Sequence, residues 1–97
     1  MNDLDPVIHQ PARLKIMSAL CQLGERARVD FTFLKDNLGL TDGNLGAHLA
    51  TLETSRYIAV EKEFVARRPK TFVAATPEGR HAFSSHVAAL QSILLPK

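Results

Sequence analysis

A basic segment in the second half of the chain holds side chains suited to binding an anionic polymer. Residues 56–70 contain five Lys or Arg residues and two Glu residues, a local net charge of +3, whereas the whole chain of 97 residues carries +2. Arg67 and Arg68 precede a proline, and Lys70 follows it. Guanidinium groups pair with phosphates and enter narrow minor grooves, while proline stiffens the backbone. The segment indicates phosphate contact, with ordinary surface arginines as the alternative.

A second set of candidate residues lies on one face of a helix predicted over residues 41–55. Leu45, Leu49 and Leu52 repeat at helical spacing and predict the buried face. The opposite face carries small or hydrogen-bonding residues: Thr41, Gly43, Asn44, Ala47, His48 and Thr51. Such a face fits the DNA major groove, because bulky or acidic side chains would clash with bases or phosphates. An ordinary solvated helix face is the alternative.

Metal and catalytic chemistry find little support in the sequence. His81 and His86 are five residues apart, which is about 140° around a helix, so one helix cannot present both to the same ion. A metal site shared between two copies of the chain, with His9 as a further ligand, is the alternative. Cys21 lies on an apolar helical stripe with no adjacent basic residue, which favours packing over redox chemistry. We expect no metal, no cofactor and no enzymatic activity.

The elements that position these residues begin with three helices. Pro11 opens the first, which ends by Gly24. Thr32 is the expected N-cap of a short second helix, which ends at Gly39. Alternatively, the backbone N–H of Thr32 binds a phosphate at the start of this helix. The tight turn leads directly into the helix of residues 41–55. The two helices and their turn therefore predict a helix-turn-helix.

A β-hairpin and a last helix complete the predicted order. Two β-rich runs within residues 58–75 flank a basic tip expected over residues 65–69. Thr76 and Pro77 then signal the start of a helix that Pro96 ends. The order is helix, short strand, helix, helix, hairpin, helix. The predicted fold class is mainly α with a small β-hairpin.

Length and composition limit the class of protein. A chain of 97 residues with 45% hydrophobic content fits one compact domain over residues 1–97 and excludes a large multidomain enzyme. The chain has one cysteine, and its start lacks the basic and apolar regions of a signal peptide. Its apolar stretches fall short of the ~20 residues of a membrane span. These features predict a soluble, cytoplasmic protein.

The first and last helices carry more apolar surface than the core of so small a domain covers. We therefore expect a homodimer that forms through these two helices. The expected interface residues are Ile16, Leu23, Val87, Leu90, Ile93 and Leu94. For each of them, packing inside its own chain is the alternative.

The combined pattern resembles the small winged helix-turn-helix transcription regulators of the MarR or ArsR kind. The resemblance rests on residues 11–17, 40–45, 48–49, 52–53, 57–58, 64–65, 67–71 and 76–80. It implies a homodimeric repressor or activator with the third helix in the major groove and the hairpin as a wing along the backbone or minor groove of double-stranded DNA. Two positions depart from the family pattern. Arg56 stands where a helix-ending glycine is common, and Gly46 stands where serine is common.

Two other functions stay open at this stage, because a fold does not establish a function. The first is a protein-interaction module, which would expose aromatic or leucine side chains on the third helix. The second is a regulator whose DNA binding is controlled by a small molecule in an apolar pocket at the dimer junction. The sequence does not identify such a ligand.

Overall fold

The computed structural model describes residues 3–95 and confirms the predicted order of elements. Its elements are α1 (Pro11–Cys21), β1 (Val29–Asp30), α2 (Phe31–Leu38), α3 (Asp42–Thr54), β2 (Ile58–Val65), β3 (Arg68–Ala75) and α4 (Pro77–Leu94). The expected helix end at Pro96 lies outside the described residues. Within residues 3–95, no helix combines the length and apolar character needed to cross a lipid bilayer.

Helix α2 begins one residue before the predicted cap, so the assignment of Thr32 as its N-cap is wrong. The side chain of Asp30 accepts hydrogen bonds from the backbone N–H groups of Thr32 and Phe33, at 2.6 and 3.2 Å. These backbone hydrogen bonds lower the pKa of the Asp30 carboxyl group. Gly39 ends the helix as predicted, because its φ of 64° is left-handed and glycine adopts this conformation without steric cost.

Helix α1 ends at Cys21, before the predicted stop at Gly24, and α4 supplies partners for its last carbonyl groups. The guanidinium group of Arg80 donates to the carbonyl oxygens of Cys21, Leu23 and Gly24, at 3.4, 3.1 and 2.9 Å. The Cys21 carbonyl group is one that the helix end leaves without an intrahelical partner, and those of Leu23 and Gly24 lie in the segment that follows the helix. The start of α4 is thereby fixed to the end of α1.

The three strands form an antiparallel sheet in the order β1-β3-β2. Val73 of β3 pairs with Val29 and with Val60, and its side chain is fully buried. The helices cover this face of the sheet with their buried residues, which are Ile16, Met17, Leu20, Leu34, Leu45, Leu49 and Leu52. Ile16 has no exposed surface in a single chain. It therefore belongs to the core of its own chain and not to the expected dimer interface.

The backbone of Tyr57 joins α3, the hairpin and α4. Its N–H donates to the carbonyl oxygen of Leu52, and its own carbonyl oxygen accepts from the Thr76 N–H, both at 3.0 Å. Arg56, just before it, has a φ of 65°, a conformation that glycine adopts most easily. Gly79 packs so closely that a Cβ there would lie 1.9 Å from the Tyr57 carbonyl oxygen.

Asp5 connects the N-terminal segment to this junction and to α4. The hydroxyl of Tyr57 donates to its carboxylate at 2.6 Å, and this bond raises the pKa of Tyr57 to about 12. The backbone N–H of Asp5 donates to Nδ1 of His86 at 3.0 Å. Burial of His86, with a smaller contribution from His9, lowers the pKa of this imidazole. Since Nδ1 must keep a lone pair for Asp5, the structure requires neutral His86.

The close approach at Gly79 predicts opposite effects of alanine at two glycines. Gly79→Ala forces apart the start of α4 and the Tyr57 backbone and should lower the free energy of unfolding by about 1–3 kcal/mol or more. Gly46→Ala is the matched control, because a Cβ at this position would meet no atom within 4 Å. Since alanine favours a helix more than glycine does, this substitution should raise the free energy of unfolding by about 0.5–1 kcal/mol. Urea unfolding followed by circular dichroism measures both. Equal midpoints would contradict the Gly79 contact.

The buried neutral His86 predicts acid sensitivity. The unfolded chain binds a proton at an ordinary imidazole pKa of about 6.5, whereas the folded chain resists it, so stability is lost as the pH falls. The free energy of unfolding should be level with respect to this group above about pH 7 and fall below about pH 6.5, by at most about 1.4 kcal/mol per pH unit. Urea unfolding between pH 5 and 7.5 measures the slope.

Two variants assign that slope to one side chain. His86→Leu should remove most of it, whatever its effect on absolute stability. His81→Gln, on an exposed residue of the same helix, should leave it unchanged. A slope that survives in the His86 variant would show that another group carries the acid sensitivity.

Candidate nucleic-acid interface

Helix α3 is oriented by its start and by its buried leucines. The Thr41 hydroxyl accepts a hydrogen bond from the Asn44 backbone N–H at 3.1 Å, which caps the helix. Asp42 follows in the first turn, where a negative charge is stabilised by the helix dipole. Leu45, Leu49 and Leu52 are buried as the periodicity predicted. The opposite side of α3 is consequently directed away from the core.

The structure places most of the residues of α3 that were predicted to contact DNA together on this outer side of the helix. Thr41, Gly43, Asn44, Ala47 and Thr51 are all exposed. His48 is half-buried at the flank of the helix, where its Nδ1 lies 3.2 Å from a guanidinium nitrogen of Arg13 in α1. His48 therefore lies at the edge of the outer face of α3 and not at the centre of that face.

The polar groups on this face differ in the hydrogen bonds that remain open to a ligand. The Thr51 hydroxyl donates to the Ala47 carbonyl oxygen at 3.2 Å and keeps only its acceptor lone pairs free. The Thr41 hydroxyl already accepts from the helix start. The side-chain amide of Asn44 has no hydrogen-bond partner in residues 3–95, so both its donor and its acceptor face outward. Asn44 is the best equipped to read a base edge.

The hairpin tip is tighter than predicted. Only Ala66 and Arg67 form the turn, and both have positive φ, 51° and 67°, as a two-residue type I′ turn requires. The expected tip over residues 65–69 is therefore too long. Pro69 lies within β3, paired with Phe64. The pair that closes the turn, Val65 and Arg68, is hydrogen-bonded, so the next pair, Phe64 and Pro69, is not. A backbone N–H at residue 69 would point away from β2, and proline therefore costs no hydrogen bond between the two strands.

The cations of the wing, which we define as residues 58–75, differ in their partners. Arg67 and Arg68 are exposed and form no ion pair with any other residue in the described chain. The ammonium group of Lys70 lies 3.6 Å from the Asp30 carboxylate that caps α2. The two arginines at the tip are thus free to contact phosphates, while Lys70 is partly held at the base of α2.

Arg28 is a functional candidate that the sequence reasoning missed. Its guanidinium group donates to Glu63 and, at 2.9 Å, to Glu61, and it lies 4.0 Å above the Phe72 ring. The hydrogen bond from Arg28 lowers the pKa of Glu63. One guanidinium offsets one of the two negative charges, so the pairing reduces but does not abolish the repulsion of a polyanion by these carboxylates. The sequence offered one signal for such a site: Glu61 and Glu63 are two residues apart, which places both on one face of a strand.

Cys21, His9 and His86 are further residues in the described chain whose types could bind a metal or react. Cys21 is half-buried, and burial raises the pKa of its thiol more than nearby Arg80 lowers it. The rings of His9 and His86 are 5.3 Å apart, centroid to centroid. Residues 3–95 contain no cluster of three or more His, Cys, Asp or Glu residues arranged to hold a metal ion.

A short helix, a tight turn, a helix with an open polar face and a basic two-stranded wing define the winged helix-turn-helix class. A sequence profile described as the winged helix DNA-binding domain matches residues 12–94. The chain belongs to this family and is a DNA-binding transcription regulator. The winged helix-turn-helix fold and the DNA-binding class that the resemblance implied are thereby confirmed.

Individual proteins are similar to this chain in sequence or in fold. An uncharacterised protein of Methanocaldococcus jannaschii is 35% identical over 81 residues, which cover 84% of this chain and 85% of that protein. A transcriptional regulator homologue from Pyrococcus horikoshii OT3 superimposes with a TM-score of 0.82 at 30% identity, over 91% of this chain and 84% of that chain. NadR, solved in complex with 4-hydroxyphenylacetate, shares the fold with a TM-score of 0.63 at 18% identity, over 92% and 68% of the two chains.

Proposed function

We propose that two copies of this regulator bind a roughly palindromic operator, each placing α3 in the major groove and its wing on the backbone or minor groove. The observation that carries the proposal is the exposed polar face of α3 on the same chain as the unpaired tip arginines, Arg67 and Arg68. Groove entry supplies sequence discrimination, and phosphate contact supplies affinity. Two-fold related recognition helices then meet half-sites about 10 base pairs apart.

The candidate contacts divide by chemistry. Asn44, His48 and Thr51 are proposed to read base edges. Thr41 and Gly43 permit close backbone approach at the start of α3, and Ala47 leaves room for the groove floor. The wing is proposed to hold the backbone through Arg67, Arg68 and Lys70.

A protein-interaction module is less well supported. Protein-binding surfaces are enriched in exposed aromatic and other large anchors. The outer face of α3 presents none, because all the leucines of this helix are buried. Its small polar surface suits a groove lined with base edges better than an apolar pocket.

The proposed dimer uses the apolar end of α4. Arg80 contacts the end of α1, whereas His86 contacts Asp5 ahead of the start of α1, so α4 runs antiparallel to α1 and continues past it. Beyond this point Ile93 and Leu94 are 63% and 72% exposed. A second copy would cover these side chains together with Leu23, Val87 and Leu90, which remain candidates.

Ligand control is a second candidate function, favoured by a groove between α1 and α4. The groove has a volume of about 560 Å³ and is lined by residues that include Ser18, Cys21, Arg80, Phe83 and Val87. A mixed apolar and cationic lining suits a small aromatic acid. Such a compound should raise the melting temperature of the regulator in a concentration-dependent manner. A panel of aromatic acids that leaves the melting temperature unchanged would remove this support.

Selection from a random pool of duplex DNA tests the main proposal. The purified protein is mixed with the pool at about 0.15 M salt, where purely non-specific binding is micromolar or weaker. Enrichment of a palindrome with half-sites one helical turn apart is expected. If no sequence is enriched, with or without the aromatic acids, specific operator binding is rejected.

Substitutions in the wing and in α3 should have separable effects on DNA binding. The double variant Arg67→Ala, Arg68→Ala should weaken binding to all sequences and reduce the slope of log affinity against log salt by about two. Asn44→Ala should alter the preferred base at one operator position, at a cost of about 1–3 kcal/mol in discrimination. Fluorescence anisotropy across a salt series, repeated on operator variants, measures both. Identical salt slopes in the parent and the double variant would refute the wing assignment.

The dimer proposal predicts a strong effect of charge at the end of α4. Leu94→Asp should weaken dimerisation about tenfold or more, since a carboxylate would be desolvated in the interface. Ser92→Asp is the matched control, because it adds the same charge on the opposite side of the helix. Analytical ultracentrifugation measures the monomer fraction. Unchanged sedimentation of the Leu94 variant, or a monomeric parent chain, would contradict the proposed interface.

A further inference from the structure

Phe64 is the most exposed large apolar side chain among residues 3–95, at 81%. It lies near the free end of the wing, one residue before the pair that closes the turn. Ile58 and Val60 share its face of β2, and Ile58 packs into the core. The hairpin extends beyond the helices that cover its base, which leaves the outer part of this face without an intramolecular partner.

The surroundings of Phe64 combine rigidity with positive charge. Pro69 lies directly opposite in a non-hydrogen-bonded pair, where cross-strand side chains are closest. Lys62 precedes Phe64 by two residues and is therefore on the same face, while Arg67 and Arg68 follow at the turn. The exposed ring thus lies on a strand pair whose opposite residue is proline, with cations at neighbouring positions. A partner that fits this arrangement offers negative charge around an apolar slot.

We propose that Phe64, opposite Pro69, is a wedge that enters the DNA minor groove and partly unstacks one base step. The inference rests on the proposed contact of the wing with DNA. Hydrated phosphates offer a phenyl ring no favourable surface, whereas base faces do. Apolar side chains inserted between base steps kink a duplex, and the cations beside them hold the backbone. Phe64 thereby adds a preference for deformable steps to the base reading by α3.

The wedge and the tip arginines predict opposite preferences between two duplexes of the same composition. A continuous A-tract is stiff and has a narrow minor groove that attracts arginine, whereas alternating A·T sequence contains TpA steps that unstack easily. Wedge insertion should therefore favour the alternating duplex. Arginine contacts alone should favour the A-tract.

The experiment uses the full chain with two 24-base-pair duplexes, one alternating A·T and one continuous A-tract, each with 2-aminopurine in place of one adenine. The parent protein should bind the alternating duplex more tightly and raise its 2-aminopurine fluorescence, which reports unstacking. Phe64→Ala should weaken binding to the alternating duplex roughly tenfold and abolish the fluorescence rise. Phe64→Leu should keep part of both effects, since leucine also acts as a wedge.

Arg67→Ala is the matched control for loss of a wing contact without loss of the wedge. It should lower affinity for both duplexes, more for the A-tract, and reduce the salt slope by about one, so the preference for the alternating duplex is kept or increased. Melting temperatures of the Phe64 variants should equal that of the parent, because the side chain is exposed.

The outcomes separate the wedge from the proposed function. Binding without a fluorescence rise, or with equal affinity of the parent and Phe64→Ala for the alternating duplex, overturns the wedge and leaves DNA binding intact. Failure of the parent to bind either duplex in a salt-dependent manner counts against the proposed function itself. A change in sedimentation of Phe64→Ala without DNA would assign Phe64 to a contact between copies and also overturn the wedge.

Discussion

The close packing around the Tyr57 backbone determines how the parts of this regulator are arranged. Its N–H bonds to Leu52 near the end of α3, its carbonyl oxygen accepts from Thr76, and Gly79 packs against that same carbonyl. Its hydroxyl group holds the N-terminal segment through Asp5. Because most of these contacts involve backbone atoms, the orientation of α3 and of the wing relative to α4 tolerates little adjustment. Backbone contacts at Tyr57 therefore join the end of α3, the base of the wing and the start of α4.

The small net charge of +2 conceals an uneven distribution of paired and unpaired charges. Asp30 caps α2 and also approaches Lys70, so this carboxylate is used within the fold. Glu61 and Glu63 share the single positive charge of Arg28, which offsets one of their two negative charges. The two arginines of the wing tip lack such partners within the described residues. Local pairing, more than total charge, consequently determines which cations of the wing are free for the proposed phosphate contacts.

Local signals were sufficient to predict the elements, whereas contacts distant in sequence were not predictable. The capping of α3 by Thr41 and the end of α2 at Gly39 each depend on neighbouring residues and were confirmed. The choice of Asp30 over Thr32 depends on which of two nearby polar side chains reaches the free amides. The burial of Ile16 depends on how α1 packs, because periodicity alone leaves two apolar faces on this helix. No spacing in the sequence links Arg28 to the acidic residues of β2.

Every non-glycine residue with positive φ in residues 3–95 lies at the end of an element proposed to face DNA: Arg56 after α3, and Ala66 and Arg67 at the wing tip. Glycine would relieve the steric cost at each position. It would also remove two of the cations. Laboratory evolution for heat resistance alone would therefore favour glycine at these sites, and at Arg67 the same change would remove a proposed phosphate contact. Arg67 is thus the one of these positions at which backbone stability and the proposed phosphate contact favour different residues.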